Sequence, residues 1–174
     1  MTCEVWWAEL GDVRPWHDGL LDPVERRWKA KYRAAADRDR FVLGCAITRI
    51  VLGRHLGMPP ADVPLRRDCP DCGRPHGKPR VPGDELHVSV SHSGRWVAVA
   101  ITDVGRVGID VERIAVRAAP LVAAALTDLP RRAGHAVGLA IVGVEEIPRV
   151  TEGSAARYLT SAARHIAWPA SPLT

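Results

Sequence analysis

Several residue types are scarce in this chain of 174 residues. It has one Phe and two Tyr, and its three lysines all lie in the first half, with Lys78 the last of them. No apolar run approaches the roughly 20 residues that a membrane-spanning helix needs. The N-terminal residues also lack a basic segment followed by an apolar core, which a secretory signal requires. The sequence therefore predicts a cytoplasmic protein without a membrane partner.

Because lysine is rare, the positive charge comes almost entirely from arginine. Together, 21 arginines and 3 lysines outnumber the 20 acidic residues, which gives a net charge of +4. They are scattered along the chain, and the aromatic residues do not alternate with them as a stacking platform for nucleic-acid bases would require. We therefore expect no nucleic-acid partner. A modest positive charge equally suits a small acidic ligand or an acidic protein partner.

Four cysteines are present, and only two of them are closely spaced. Cys69 and Cys72 are separated by two residues, and His76 follows shortly after. This spacing resembles a metal-binding knuckle, but a tetrahedral zinc site usually has four protein ligands and no second Cys pair exists. His87 or His92 could complete a site only if the fold brought it close. The alternative, a turn braced by small thiols, is the interpretation that the spacing favours.

The first third of the chain predicts one strand and two helices. Residues 3–10 have the composition of a strand, and residues 20–36 form a basic segment that opens with an Asp-Pro pair, a good helix start. Residues 37–56 carry apolar side chains at helical spacing and are the clearest helix. Arg40 and Arg49 project from this helix, and either could be a surface residue or hold an anion.

Three short strands are predicted next, in residues 86–91, 96–101 and 107–112. The turns between them are short, which favours antiparallel pairing in a meander packed on the long helix. This arrangement is an α+β fold. Further along, residues 120–126 predict a helix and residues 139–144 a short strand.

Two acidic residues occupy alternate positions of the third predicted strand. If Val107 and its alternate neighbours face the core, Asp110 and Glu112 emerge together on the opposite face, about 6–7 Å apart. Mg²⁺ prefers oxygen ligands with room left for water and phosphate. A solvent-facing strand with two acids is the alternative, and the pair alone does not exclude it.

Two other segments carry groups that complement these carboxylates. Gly77-Lys78-Pro79 holds a lysine on a restricted loop, and Gly77 permits close backbone approach. Ser91-His92-Ser93-Gly94 brings an imidazole and open backbone N–H groups to a strand end. Lysine, histidine and N–H groups beside two carboxylates fit a pyrophosphate–Mg²⁺ site.

These segments resemble the Sfp-type 4′-phosphopantetheinyl transferases, above all the actinobacterial members with a CPxCG-x-PHGKP loop. The matching segments, in the same order and spacing, are Cys69–Pro79, Ser89–Ala98 and Val107–Glu112. Together with a basic helix and a long helix upstream, the similarity covers roughly residues 1–113. Any one segment would be a weak signal, but the three together are specific.

The resemblance implies a role for each matching residue. Arg40 and Lys78 would hold the phosphates of coenzyme A, with Pro79 and Ser91 in the same binding segments. His92 would hydrogen-bond the pyrophosphate, and Asp110 with Glu112 would ligate Mg²⁺. His92 and Glu112 are thus the catalytic candidates. Members often carry further cations on the basic helix, where this chain has Glu25 and Trp28; Arg26 or Lys29 would have to substitute.

The resemblance also implies a reaction and its partners. Phosphopantetheine would move from coenzyme A to a serine of an acyl or peptidyl carrier protein, as in polyketide or nonribosomal peptide synthesis, with Mg²⁺ as cofactor. One departure matters: members carry a W-x-x-K-E-x-x-x-K helix in a second, pseudo-equivalent half, and residues 113–174 contain no lysine. We therefore expect residues 1–112 to form the first half of such a domain. Residues 113–174 would form a truncated or divergent second half, part of which could be disordered. An inactive or repurposed homologue that binds coenzyme A or a carrier protein is the alternative function.

Overall fold

The computed structural model describes residues 2–83, 85–113, 134–142 and 148–160. Within them the chain forms six strands and three α-helices. The strands are β1 (Thr2–Glu9), β2 (His87–Ser93), β3 (Trp96–Thr102), β4 (Arg106–Arg113), β5 (His135–Val142) and β6 (Arg149–Ser154); the helices are α1 (Pro23–Lys29), α2 (Ala35–Leu56) and α3 (Ala156–Thr160). Short 3₁₀ turns occupy Leu10–Asp12, Pro15–Leu20 and Pro60–Asp62. The chain is thus a mixed α+β structure.

The strands form two sheets. The larger has the order β2-β3-β1-β6, with β2, β3 and β1 antiparallel and β6 parallel to β1. The smaller is the antiparallel pair β4-β5. The predicted three-stranded meander is therefore wrong at its third strand, because β4 pairs with β5, which lies distant in sequence, instead of with β3.

Strand β3 explains why the larger sheet has a core on each face. Val97, Val99 and Ile101 pack with the apolar side of α2, whereas Ala98 and Ala100 pack with the inward side chains of β4 and β5. All five side chains are fully buried. The continuous apolar run in this strand therefore reflects burial on both faces.

The two helices before the sheet differ in how well the sequence places them. Helix α2 covers the segment predicted at 37–56, begins two residues earlier and ends at Gly57 in the left-handed conformation. Helix α1 opens at the Asp-Pro pair as expected, with the Asp22 carboxylate accepting a hydrogen bond from the Glu25 N–H. It ends at Lys29, however, so the predicted helix over residues 20–36 is too long. The predicted helix at 120–126 lies outside the described residues.

A buried ion network joins α1 to α2. Glu25 is fully buried and contacts Arg49 at 2.8 Å and Arg67 at 3.1 Å. Arg49, itself 1% exposed, also reaches Asp22 at 2.7 Å and donates to the carbonyl of Val63. Arg49 is therefore not a surface residue, and the anions that it binds here are carboxylates of the protein itself.

None of the helices within the described residues combines the length and the apolar character that crossing a bilayer requires.

Candidate functional site

Three serines at alternate positions of β2 hold β4 in place. Each hydroxyl accepts a hydrogen bond from a backbone N–H of β4, in the pairs Ile109 to Ser89 (3.2 Å), Val111 to Ser91 (3.1 Å) and Arg113 to Ser93 (3.2 Å). This ladder of side-chain bonds fixes the register of β4 against the edge of the larger sheet. The serine spacing in SVSHS is the sequence signal, but it does not reveal the partner strand.

The two carboxylates of β4 lie on one exposed face, as the alternation predicts. Inward side chains such as Val107 are buried, while Asp110 and Glu112 are exposed. The Ser91 hydroxyl donates to Asp110 Oδ1 at 3.0 Å. The residues opposite on β5 are Gly138 and Ala136, which add no charge. Paired oxygen donors on an open face have the chemistry that Mg²⁺ prefers, so these residues fit such an ion.

On the other side of β2 lies a hollow of about 270 Å³, which we call the aromatic pocket. It lies between the helices, the loop around residues 67–79 and β2. Three aromatic rings, four basic side chains and a floor of smaller groups line it: Trp28, Tyr32 and Phe41; Arg40, Arg67, His76 and His92; and Gly44, Cys45, Gly77, Pro79 and Val90. Rings beside cations suit a ligand that has both a flat apolar part and a negative charge.

Arg40 ties the start of α2 to the turn between β2 and β3. Its Nε donates to the Gly94 carbonyl at 2.6 Å, and its Nη1 contacts Asp37 at 2.5 Å. Gly94 takes a positive φ of 58°, as the tight turn requires. The guanidinium is therefore held by fixed partners at the pocket wall, which lowers the entropy lost when it binds an anion.

His92 shares this wall with Arg40. Its side chain is exposed, yet atoms around the ring lower the pKa of His92 by desolvation, and the charge of Arg40 lowers it further. Its own backbone and Asp37 act in the opposite direction. The balance favours the neutral imidazole, and an anion in the pocket would favour the protonated form.

Arg67 is a basic residue of this pocket that the sequence did not single out. Its Nη2 contacts buried Glu25, and the same nitrogen lies 3.6 Å from Cys45 Sγ. Its Nε is buried and has no hydrogen-bond partner within the described part of the chain. Sequence reasoning does not single out Arg67, because it lies in a loop with several other arginines. A buried carboxylate such as Glu25 needs cationic partners, but the burial of Glu25 becomes visible only in the structure.

Lys78 faces away from the aromatic pocket. Its ammonium donates to the Val107 carbonyl, and it lines a second hollow of about 240 Å³, which we call the basic pocket. The other residues that line this hollow are Pro79, Arg80, Val81, Leu86, His87, Val88 and Arg106. Partial burial of the ammonium, and then the charges of Arg80 and Arg106, lower the pKa of Lys78.

The predicted site residues thus separate into three groups. Arg40, Pro79 and His92 line the aromatic pocket, and Lys78 lines the basic pocket. Ser91, Asp110 and Glu112 belong to the β2–β4 contact; because side chains alternate along a strand, Ser91 and its neighbour His92 point to opposite faces of β2. The carboxylates therefore lie across the edge strand from the aromatic pocket.

The proposed substitutes on the basic helix do not reach the pocket. Lys29 forms an ion pair with Asp18 at 2.6 Å, and Arg26 is exposed without lining either hollow. Trp28 occupies the pocket wall instead, where its indole donates to the Pro75 carbonyl at 2.7 Å and its ring lies 3.7 Å from the Lys31 ammonium. An aromatic surface thus stands where the resemblance leads us to expect a cation.

The Cys69–His76 loop adjoins the same pocket. Cys72 Sγ lies 2.9 Å from His76 Nε2. A backbone hydrogen bond at Arg74 and the contact with His76 lower the pKa of Cys72 to about 7. By contrast, burial raises the pKa of Cys3 to about 11. All four cysteines are free thiols.

Comparisons with known proteins find two similar curated sequences. The chain is 30% identical over 95 residues to the 4′-phosphopantetheinyl transferase Sfp of Bacillus subtilis, across 54% of this chain and 39% of that protein. It is 29% identical over 105 residues to a phosphopantetheinyl transferase of Thraustochytrium, across 60% of this chain and 35% of that protein. No model of a protein family matches the chain. The two similarities support a relationship of the phosphopantetheinyl transferase type, and the chain spans less than two fifths of the length of each relative.

Proposed function

We propose that this chain is a 4′-phosphopantetheinyl transferase that moves phosphopantetheine from coenzyme A to a serine of an acyl or peptidyl carrier protein. The observation that carries the proposal is the placement of the aromatic pocket and the Asp110–Glu112 pair on opposite sides of one edge strand. Coenzyme A has a flat base, a separate phosphate and a pyrophosphate. These groups match, in that order, the aromatic rings, the cations and the metal-binding face. The names of the two similar proteins favour the same activity.

The aromatic pocket would hold the nucleotide end of coenzyme A. The base would stack on a ring such as Trp28, an interaction worth about 1–3 kcal/mol per base. The 3′-phosphate would pair with Arg40, whose guanidinium is already positioned, and with the guanidinium of Arg67, which also lines the pocket. His92, at the end of β2, would hydrogen-bond the pyrophosphate where it leaves the pocket toward β4.

The carboxylates of Asp110 and Glu112 would hold Mg²⁺, which when bound neutralises charge on the phosphate oxygens. The serine oxygen of the carrier protein would form a bond to the phosphorus that bears pantetheine. The bond from that phosphorus to the bridging oxygen would break, and its electron pair would leave with 3′,5′-ADP. The hydroxyl proton would pass to a carboxylate, for which Glu112 is the candidate in this chain.

A second candidate function is binding of coenzyme A or a carrier protein without transfer. The observation that favours it is the absence of lysine from residues 113–174, and with it of the W-x-x-K-E-x-x-x-K helix that the resemblance implies. The resemblance implies that the glutamate of this helix is a third carboxylate, which completes the Mg²⁺ site and acts as general base, and its loss would slow transfer by roughly 10²–10⁴-fold.

The test incubates the chain with coenzyme A, Mg²⁺ and apo carrier proteins of polyketide and nonribosomal peptide synthesis, and detects added phosphopantetheine by mass spectrometry. Transfer that falls about 100-fold in Asp110→Asn, but not in the exposed control Asp103→Asn, supports the first function. Should no carrier gain mass, transfer is refuted, and calorimetry with coenzyme A and with the apo carrier proteins then decides the second function: binding of either supports it, and binding of neither refutes it.

A further inference from the structure

A cluster of two thiols and one imidazole stands outside the proposed reaction. Cys69, Cys72 and His76 each offer one ligand atom, and these atoms lie within 4.8 Å of one another. Cys69 is buried, while Cys72 and His76 are exposed. The transfer reaction uses none of the three, so their convergence calls for a separate explanation.

The backbone of the loop is folded so that the three side chains converge. The N–H of Gly73 donates to the Cys69 carbonyl at 2.8 Å, and the N–H groups of Cys69 and His76 both donate to the Arg74 carbonyl at 2.9 Å. Gly73 has a positive φ of 67°, a conformation that side chains disfavour. A Cys-x-x-Cys turn closed by a glycine thus brings the histidine back onto the second thiol.

The distances suit a tetrahedral ion. Zinc binds thiolate at about 2.3 Å and imidazole at about 2.0–2.1 Å, so ligand atoms around it stand about 3.5–3.8 Å apart. The observed spread, from 2.9 Å between Cys72 and His76 up to no more than 4.8 Å, brackets these separations. The two exposed ligands, Cys72 and His76, are the ones that could adjust toward these separations.

We propose that Cys69, Cys72 and His76 bind one Zn²⁺ ion, with water as the fourth ligand. Thiolate and imidazole ligands select zinc over the hard ion Mg²⁺, which prefers oxygen. The cluster is therefore distinct in chemistry from the Asp110–Glu112 pair. Among the described residues no fourth His, Cys, Asp or Glu has a ligand atom within 4.8 Å of all three. Asp71 contacts Cys69 Sγ at 3.8 Å without meeting this criterion, so we assign the fourth position to water.

The role of this ion would be to stabilise one wall of the aromatic pocket. His76 lines that pocket, and the adjacent Pro75 carbonyl accepts the Trp28 indole hydrogen bond. The loop contains no helix or strand from residue 64 to residue 83. Backbone hydrogen bonds, the Arg67–Glu25 ion pair and the Trp28–Pro75 hydrogen bond hold it. A cross-link between residues 69, 72 and 76 would fix the positions of His76 and Gly77 relative to α1.

The test measures zinc in the purified full chain under reducing conditions, by elemental analysis and by titration with a chromophoric chelator. Wild-type chain is expected to hold one zinc per molecule. Cys72→Ser and His76→Ala are expected to weaken zinc binding roughly 100-fold or more, because even partners outside the ligand shell contribute 10–100-fold. Cys3→Ala and His87→Ala, which remove a thiol and an imidazole elsewhere, are the matched controls and should bind zinc as the wild type does.

A second measurement does not depend on whether the variants fold. Replacement of zinc by Co²⁺ in the wild-type chain should give the intense visible bands of a tetrahedral ion and a sulfur-to-metal charge-transfer band. Cobalt spectra typical of six oxygen or nitrogen ligands would overturn the proposal. So would wild-type chain that binds no zinc while all four thiols are free, or equal zinc binding by the Cys69→Ser/Cys72→Ser double variant.

Discussion

Two hollows of nearly the same size, about 270 and 240 Å³, lie on either side of Pro79 and differ in what surrounds them. The aromatic pocket has three rings, Arg40 and His92 in its wall. The basic pocket has Lys78, Arg80 and Arg106, and among the residues that the structure describes no Phe, Tyr or Trp lines it. Size therefore does not distinguish them, but chemistry does: within the described part of the chain, the aromatic pocket combines a base-stacking surface with cations and the basic pocket does not.

The two hollows also rest on different supports. The aromatic pocket adjoins the buried network in which Glu25 contacts Arg49 and Arg67. The basic pocket lies at the ends of β2 and β4, where Arg80 and Arg106 are exposed. A pocket that rests on buried ion pairs should be rigid, and substitutions of those residues should destabilise the protein. A pocket that is bounded by exposed side chains should tolerate substitutions. The predictions below test this difference, beginning with the largest effect.

Loss of Arg49 should destabilise the protein most. Arg49→Met would leave the carboxylates of Asp22 and Glu25 without their shared partner in a buried site, which costs about 3–5 kcal/mol. Arg80→Met, at an exposed position of the basic pocket, should change the free energy of unfolding by less than about 0.5 kcal/mol. Urea unfolding measures both values. Equal changes in the free energy of unfolding would contradict the idea that the aromatic pocket rests on buried ion pairs and the basic pocket does not.

The second-largest effect is expected from a side chain at residue 77, in the wall of the aromatic pocket. A Cβ added to Gly77 would stand 2.7 Å from the Asp68 carbonyl oxygen, so the backbone would have to shift. We expect Gly77→Ala to cost about 1–3 kcal/mol. Gly108→Ala is the matched control, because a Cβ there meets nothing within 4 Å. Thermal and urea unfolding compare the two, and a neutral Gly77→Ala would show that the loop is not held as described.

The smallest effect concerns pH. The pKa of His92 is lowered in the free protein, and a bound anion would raise it, so binding takes up a proton. Affinity for coenzyme A should therefore increase as pH falls through the range between the free and bound pKa values of His92. We expect this residue to contribute about threefold between pH 8 and pH 6.

Calorimetry gives the association constant of coenzyme A at several pH values. The ratio of the wild-type constant to that of His92→Gln at each pH removes the contribution from titration of the ligand itself. His87→Gln, on the basic pocket, should retain the wild-type profile. A His92→Gln profile identical to that of the wild type would place the anion elsewhere.

Local patterns in the sequence were reliable guides to local structure. Alternation in β4 correctly placed Asp110 and Glu112 on one exposed face, and the Asp-Pro pair correctly marked the start of α1, because both features depend on neighbouring residues. The length of α1 was overestimated because charge alone does not continue a helix; the chain leaves it after Lys29, where no apolar stripe requires it to persist.

Features that depend on distant residues could not be predicted in the same way. The pairing of β4 with β5 joins segments separated by the undescribed residues 114–133, and no pattern within either strand names its partner. The orientation of Lys78 is another example, because adjacent residues Gly77 and Lys78 line different hollows. The sequence predicts that the GKP segment lies at the site, but it does not show which of its residues lines which pocket.

The central claim is that an anionic nucleotide ligand occupies the aromatic pocket and not the basic one. Calorimetric titration of coenzyme A into the wild type, Arg40→Gln and Lys78→Gln tests it most directly. Loss of a charged hydrogen bond costs about 1.5–3 kcal/mol, so Arg40→Gln should weaken binding roughly 10- to 150-fold, and Lys78→Gln less than about threefold. A Lys78→Gln variant that loses as much affinity as Arg40→Gln, or more, would contradict the account.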